Sequence, residues 1–210
     1  MEIKSFSLGD VFTRCYVVSK NNKAFIVDPG AEAEKIFSYL KNNDLKLEFI
    51  INTHGHFDHI GANEFLKNKT NAEIYIHDKA AEKLISAKKN LSLKFLRRKI
   101  ISPPADRLLK DGDQIIFEDY TMQVLYTPGH SRGGISIYIP KENILFSGDA
   151  VFSNGVGRTD LADSSREKLH ESIKEKLLVL TEDTKIFPGH GESFLLKDFK
   201  EDVYPKFFGE

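Results

Sequence analysis

The sequence has a single cysteine, Cys15, among 210 residues, no apolar run of membrane-spanning length, and a formal net charge of only −1 at pH 7. One cysteine excludes an intrachain disulfide and fits a reducing compartment, so a cytoplasmic location is expected. A membrane helix needs about 20 consecutive apolar residues, and no run approaches that. The opening "MEIKSFSLGDVFTRCYVVSK" lacks the apolar core and small-residue cleavage site of a secretory signal. Near-neutral charge argues against a dominant nucleic-acid field, so neither nucleic acid nor membrane is an expected partner. No Pro/Gly/Ser-rich linker separates the apolar segments. With 40% apolar and 29% charged residues, a single domain over 1–210 with a sizeable core is expected. Cys15 lies in "RCYVV", a strand-like run without a nucleophile or metal motif, and reads as a core thiol.

Short strand-like runs dominate the first fifty residues: "CYVVS", "AFIVD" and "LEFIINT". Between the last two, "AEKIFSYLKNN" sets Ile36, Phe37 and Leu40 at helical spacing. Residues 61–69 read as a second helix, "AEIYIHD" as a strand and "AAEKLISAKK" as a third helix. Residues 87–105 are basic, end in Pro103–Pro104, and predict a loop or short helices. Four strand-like runs follow, "QIIFE", "MQVLYT", "GISIYI" and "NILFSGD", the first preceded by the turn chemistry of "KDGDQ". "SSREKLHESIKEKLLVL" predicts a helix with Ser164 and Glu167 as a capping box and Leu169, Ile173, Leu177 and Leu180 as its apolar stripe. "TKIFPGHG" ends the series with a strand and loop. Strands and helices mixed in both halves point to layered sheets with helices outside.

The residues that carry chemistry begin in "NTHGHFDHIG", where His54, His56, Asp58 and His59 fall between a predicted strand and a predicted helix. If 54–58 is extended, alternate side chains His54, His56 and Asp58 share a direction, while His59 projects differently. Four donors in two directions exceed what one tetrahedral zinc with an open position uses, which hints at two adjacent metals. His130 after "YTPG", Asp149 after "LFSG" and His190 after "IFPG" each follow a strand-like run and a glycine. Strand-end loops are where active-site groups gather on a rigid scaffold. Five histidines with two aspartates suit zinc, iron or manganese better than calcium or magnesium.

"THGHFDH", "TPGHS", "FSGDAVF" and "FPGHG" together resemble the signature of the metallo-β-lactamase superfamily, from "IVDPG" at Asp28 to Glu192. The resemblance implies an α+β fold, a four-layer αββα sandwich with the site at one edge of the packed sheets. It implies His54, His56 and His130 on a first divalent metal ion, Asp58, His59 and His190 on a second, and Asp149 bridging both. Zinc is the first choice of metal, with iron or manganese as alternatives. Asp28 matches an aspartate that supports a ligand histidine, fixing its orientation and tautomer.

Within the superfamily, "GVGRTDLADSS" is similar to the glyoxalase II-type hydrolases and to the persulfide dioxygenases, and unlike the antibiotic-hydrolysing and nuclease branches. Arg158 and Asp160 are expected to pin this loop by an ion pair, behind the ligands; no residue is assigned to substrate contact. Only about twenty residues follow His190, so the C-terminal helical domain that contacts glutathione in full-length glyoxalase II is expected to be missing. The basic residues Lys88, Lys89, Lys94, Arg97, Arg98 and Lys99 raise the alternative of a cationic lid over an anionic thioester. His170 is expected on the polar side of its helix, exposed and inert, and His77 as a structural strand-end residue.

The expected reaction is hydrolysis of a thioester such as S-lactoylglutathione by a hydroxide bridging the two metals. Asp58 orients it and takes up its proton. The alternatives are a persulfide dioxygenase with one iron on His56, His130 and Asp149, a lactonase or phosphodiesterase of the same fold, and a metal-binding protein without catalysis. The dioxygenases usually carry a cysteine where Gly55 stands. The "YPKFFGE" tail reads as packing on the core or meeting a partner.

Overall fold

A computed structural model describes residues 1–209 and comprises two compact units, Met1–Leu109 and a second beginning at Lys110. In the first, β1 (Glu2–Leu8), β2 (Thr13–Lys20), β3 (Lys23–Val27), β4 (Lys46–Asn52), β5 (Glu73–His77) and β6 (Arg107–Leu109) form one sheet in chain order. β1, β2 and β3 pair antiparallel, whereas β3 to β6 run parallel. Parallel neighbours need crossovers. These are α1 (Ala33–Asn42), then α2 (Phe57–Ile60) with α3 (Asn63–Thr70), then α4 (Ala81–Leu84) with α5 (Ser92–Leu96). The stripe of α1 buries Ile36 and Leu40 with Ile26, Ile50 and Ile74 of the sheet. On the same three parallel strands Phe25, Phe49 and Tyr75 stack in a ladder, with centroids 5.4 and 4.9 Å apart. Parallel strands bury both faces, which is why "LEFII" is continuous rather than alternating. Asp28, residues 54–59 and the His77–Asp78 turn all follow the carboxyl ends of β3, β4 and β5, the edge where open parallel sheets place their ligands.

Cys15 is fully buried on β2, and burial, with Asp28 adding a lesser push, holds its thiol well above the ordinary thiol range. A folded-state pKa above the unfolded one favours folding at low pH, and that contribution is lost as pH rises through about 8.5 toward the folded value. The folded chain is therefore expected to resist iodoacetamide at pH 8 and to label fully in denaturant. Rapid labelling of the folded chain would refute the core placement.

The second unit holds β7 (Gln114–Phe117), β8 (Tyr120–Tyr126), β9 (Ile135–Ile139), β10 (Ile144–Gly148), β11 (Val151–Phe152), β12 (Gly155–Val156), β13 (Lys185–Pro188) and β14 (Phe194–Leu195). Its sheet runs β14-β13-β10-β9-β8-β7, while β11 and β12 make a separate ribbon. Only the β10–β13 pair is parallel. β8, β10 and β13 therefore point the same way, and His130, Asp149 and His190 follow their carboxyl ends. Leu169, Ile173 and Leu177 pack with Leu145, Val151 and Ile186. They lie on α6 (Arg166–Ser172) and the wider π-type turn Ile173–Leu177 that continues it. The chain ends in α7 (Leu196–Asp198) and α8 (Tyr204–Phe208).

Several expectations need correction. The third helix stops at Leu84, because the Leu84 carbonyl accepts from Ser102 N at 2.8 Å instead of continuing the helical ladder. The second begins at Asn63, since Ala62 N donates to the Pro29 carbonyl. The cap of α6 is Ser165, whose Oγ accepts from Lys168 N and donates to Glu167; Ser164 Oγ closes a local turn with Leu161. Leu180, half-buried, does pack against the core of Leu169, Ile173 and Leu177 as expected. His170 is not inert: its Nε2 meets the Tyr204 hydroxyl at 2.8 Å, and its ring stacks on Phe208 at 4.4 Å. The aromatic tail thus packs on its own unit, with Tyr204 buried and Phe207 and Phe208 against the same core.

Candidate metal centre

In the first unit the motif leaves β4 and turns into α2. His54 Nε2 lies 2.9 Å from His56 Nδ1, and His59 Nε2 lies 3.4 Å from Asp58 Oδ2. The rings of His54 and His59 are 4.1 Å apart, so the two pairs adjoin. The three histidines are buried and Asp58 retains slight exposure. Behind them Asp28, in a left-handed conformation with φ of 52°, is a hub. It accepts from Thr53 N at 2.7 Å and Thr53 Oγ1 at 2.6 Å, and its Oδ2 lies 2.9 Å from His59 Nδ1. With its proton given to Asp28, Thr53 Oγ1 is an acceptor for His54 Nδ1 at 3.2 Å. Both rings then carry their proton on Nδ1 and present the Nε2 lone pair to a metal.

His56 is turned the other way. Its Nε2 faces the Nζ of buried Lys83 at 3.2 Å, leaving Nδ1 toward His54. The Lys83 stem crosses Gly55: a Cβ there would stand 2.5 Å from Lys83 Cβ and 3.2 Å from the Ala80 carbonyl. Gly55→Ala is therefore expected to displace the turn that carries His54 and His56 and to weaken metal affinity about 10–100-fold, the usual effect of disturbing a ligand's support. Competition against a chromophoric chelator measures it, and unchanged affinity would show that the turn absorbs the added methyl without moving the histidines.

In the second unit His130 Nε2 lies 3.4 Å and His190 Nε2 3.6 Å from the same oxygen, Asp149 Oδ2. His130 Nδ1 is 3.0 Å from the Arg158 carbonyl, which can only accept, so Nδ1 carries the proton and the lone pair lies on Nε2 here too. Gly157 permits this: a Cβ there would lie 2.0 Å from the Asp149 carbonyl and 2.9 Å from His130 Cβ. Arg158 thus reaches the centre through its backbone, while its guanidinium forms two 2.7 Å bonds with Asp160 at the surface. Those bonds hold the guanidinium pKa above its ordinary value, but both side chains are more than half exposed and the pair adds little stability.

Ligands about 2.0–2.1 Å from a tetrahedral ion stand roughly 3.3 Å apart. The 3.4, 3.4 and 3.6 Å separations of His59–Asp58, His130–Asp149 and His190–Asp149 match such edges. Nitrogen-rich donors with carboxylates fit zinc, iron or manganese. Sequence reading missed three side chains in contact with the candidate ligands: Thr53; Lys83; and Thr13, whose hydroxyl donates to Asp58 Oδ2 at 2.9 Å. Thr53 was within reach as a neighbour of the motif, but the others sit 27 and 45 positions from their partners.

A family model described as the metallo-β-lactamase superfamily matches residues 8–190. The chain belongs to this superfamily. Its fold is the superfamily's α+β sandwich: the crystal structure of the BLEG-1 B3 metallo-β-lactamase superposes with a TM-score of 0.94 at 36% identity, covering 99% of this chain and 100% of that one. A probable metallo-hydrolase, YqgX, of Bacillus subtilis (strain 168) is 35% identical over 91% of this chain and 90% of its own length. The hydroxyacylglutathione hydrolase GloC of Haemophilus influenzae is 33% identical over 84% of each chain. The coarse reading is thus a metallo-hydrolase of the metallo-β-lactamase superfamily. No helix among the described residues is long and apolar enough to cross a membrane.

Proposed function

We propose that this chain is a dinuclear metal-dependent hydrolase that cleaves an anionic thioester such as S-lactoylglutathione. The carrying observation is the pair of half-sites, in which Asp28, Thr53 and the Arg158 carbonyl aim histidine lone pairs beside Asp58 and Asp149. In this reading His54, His56 and His130 hold one ion, Asp58, His59 and His190 the other, and Asp149 serves both, with zinc foremost and iron or manganese as alternatives. Likeness to the GloC hydrolase supports the thioester.

When bound, the ions supply Lewis acidity and make a hydroxide nucleophile available near neutral pH. Asp58 is the residue that takes up a proton, at the carboxylate whose Oδ2 is fixed by the Thr13 hydroxyl. A thiolate leaving group, with a conjugate-acid pKa of roughly 8.5, needs little acid assistance. No dedicated proton donor is therefore required of the chain.

The test is a substrate panel on the metal-loaded chain: S-lactoylglutathione, a β-lactam, a lactone, a phosphodiester, and glutathione persulfide with oxygen uptake. The β-lactam is included because the BLEG-1 neighbour is a B3 metallo-β-lactamase. Thioester cleavage with the highest kcat/KM is expected. Full metal occupancy without thioester cleavage would overturn the substrate assignment.

A further inference from the structure

We propose that a cavity within the first unit receives the substrate's acyl chain, and that this chain is apolar with a terminal anion that Arg98 meets. The inference rests on the hydrolase reading above and narrows its thioester class: an ω-carboxyacyl thioester fills the cavity, whereas the short, uncharged acyl group of S-lactoylglutathione does not reach Arg98. The cavity is about 110 Å³, and Asp58, the proposed proton acceptor, is one of its walls. Val11, Phe57, Leu96 and Ile100 make much of the rest, so an apolar chain is the matching occupant. Arg98 is its cationic wall. Asp10, also lining it, disfavours an anion on the β1–β2 turn and leaves the Arg98 side for the charge. A tripeptide thiol is far too large and polar for this space, which assigns the cavity to the acyl side of the bond.

The basic segment is built rather than merely solvated. Buried Asn90 donates to the Ile100 carbonyl at 2.8 Å and accepts from Ser92 N at 3.0 Å. Ser92 Oγ in turn accepts from Ile100 N at 3.1 Å. The Asn90 carbonyl accepts from Phe57 N at 3.0 Å, tying this loop directly to the residue before Asp58. Two of its cations are already engaged: Lys89 pairs with Glu82, and Lys94 lies over Phe95. Arg98 is exposed and lines the cavity, so a ligand anion can meet it without breaking an internal pair. Planar, bidentate capture of a carboxylate is what a guanidinium does best.

The experiment compares glutaryl, pentanoyl and acetyl thioesters of one neutral thiol, N-acetylcysteamine, so that the only anion is on the acyl chain. Wild type is expected to prefer glutaryl over pentanoyl, and pentanoyl over acetyl. Arg98→Ala should cut the glutaryl-over-pentanoyl preference about tenfold, chiefly through KM, while Arg97→Ala, outside the cavity, keeps it. Leu96→Asp should erode the pentanoyl-over-acetyl preference. No chain preference in wild type, or a preference indifferent to Arg98, would overturn the proposal. If no thioester is cleaved, the hydrolase reading fails, and calorimetric binding of glutarate to the metal-loaded protein decides the cavity separately. Binding weakened by Arg98→Ala supports it; absent or unchanged binding overturns it.

Discussion

Asp58→Asn is expected to lower kcat for thioester hydrolysis by about 10²–10⁴-fold, the range lost when a positioned proton acceptor is removed. The amide keeps the volume and the capacity to accept from Thr13, whose hydroxyl lies 2.9 Å from Oδ2. It cannot take up a proton, and it removes a negative charge from beside His59 Nε2, 3.4 Å away. Because Asp58 is also a proposed ligand, metal content must be measured with the rate. A metal-replete Asp58→Asn chain with a low kcat assigns proton uptake to this carboxylate; a low rate tracking lost metal assigns it to ligation alone. A kcat within tenfold of wild type removes Asp58 from the mechanism.

Asp28→Asn is expected to destabilise the metal-free chain by about 3–5 kcal/mol, the range for breaking a buried charged network by removing one partner. Asp28 is 1% exposed and is approached by Thr53 N, Thr53 Oγ1 and His59 Nδ1. An amide offers one acceptor oxygen and turns N–H groups toward the remaining donors, so at least one buried polar group loses its partner. Asparagine is the right probe because it tolerates the left-handed backbone at this position, where alanine would add strain of its own. Urea midpoints at constant slope measure the change. A loss under 1 kcal/mol would mean that this carboxylate does not organise the strand ends.

The divide between what the sequence disclosed and what it hid follows the range of the contacts. Candidate ligands were legible because each follows a strand-like run and "GH" or "GD" marks a turn. The buried parallel strands were legible because continuous apolar runs need no alternation. β1 was not: "EIKSFSL" is an edge strand whose polar residues face solvent, and it forms by pairing with β2. The three-residue β6 and two-residue β14 are likewise too short to show a period. The "AAEKLISAKK" helix failed for a tertiary reason, since Ser102 claims the Leu84 carbonyl. His170 looked like a polar-face residue from i±4 spacing alone, but its partners Tyr204 and Phe208 lie 34 and more positions away. Lys83 carried no signal of its own in the sequence, yet it is buried against His56 over Gly55. Gly55 itself, which stands where the dioxygenases carry a cysteine, has a physical reason: no side chain fits beneath that lysine.

The central claim is that the two half-sites together hold two metal ions. Inductively coupled plasma mass spectrometry on the metal-saturated chain, with oxygen uptake on glutathione persulfide followed on the same sample, tests it most directly. The account expects two ions per chain, hydrolytic turnover and no oxygen consumption. Saturation at one iron per chain with persulfide-dependent oxygen uptake would contradict it.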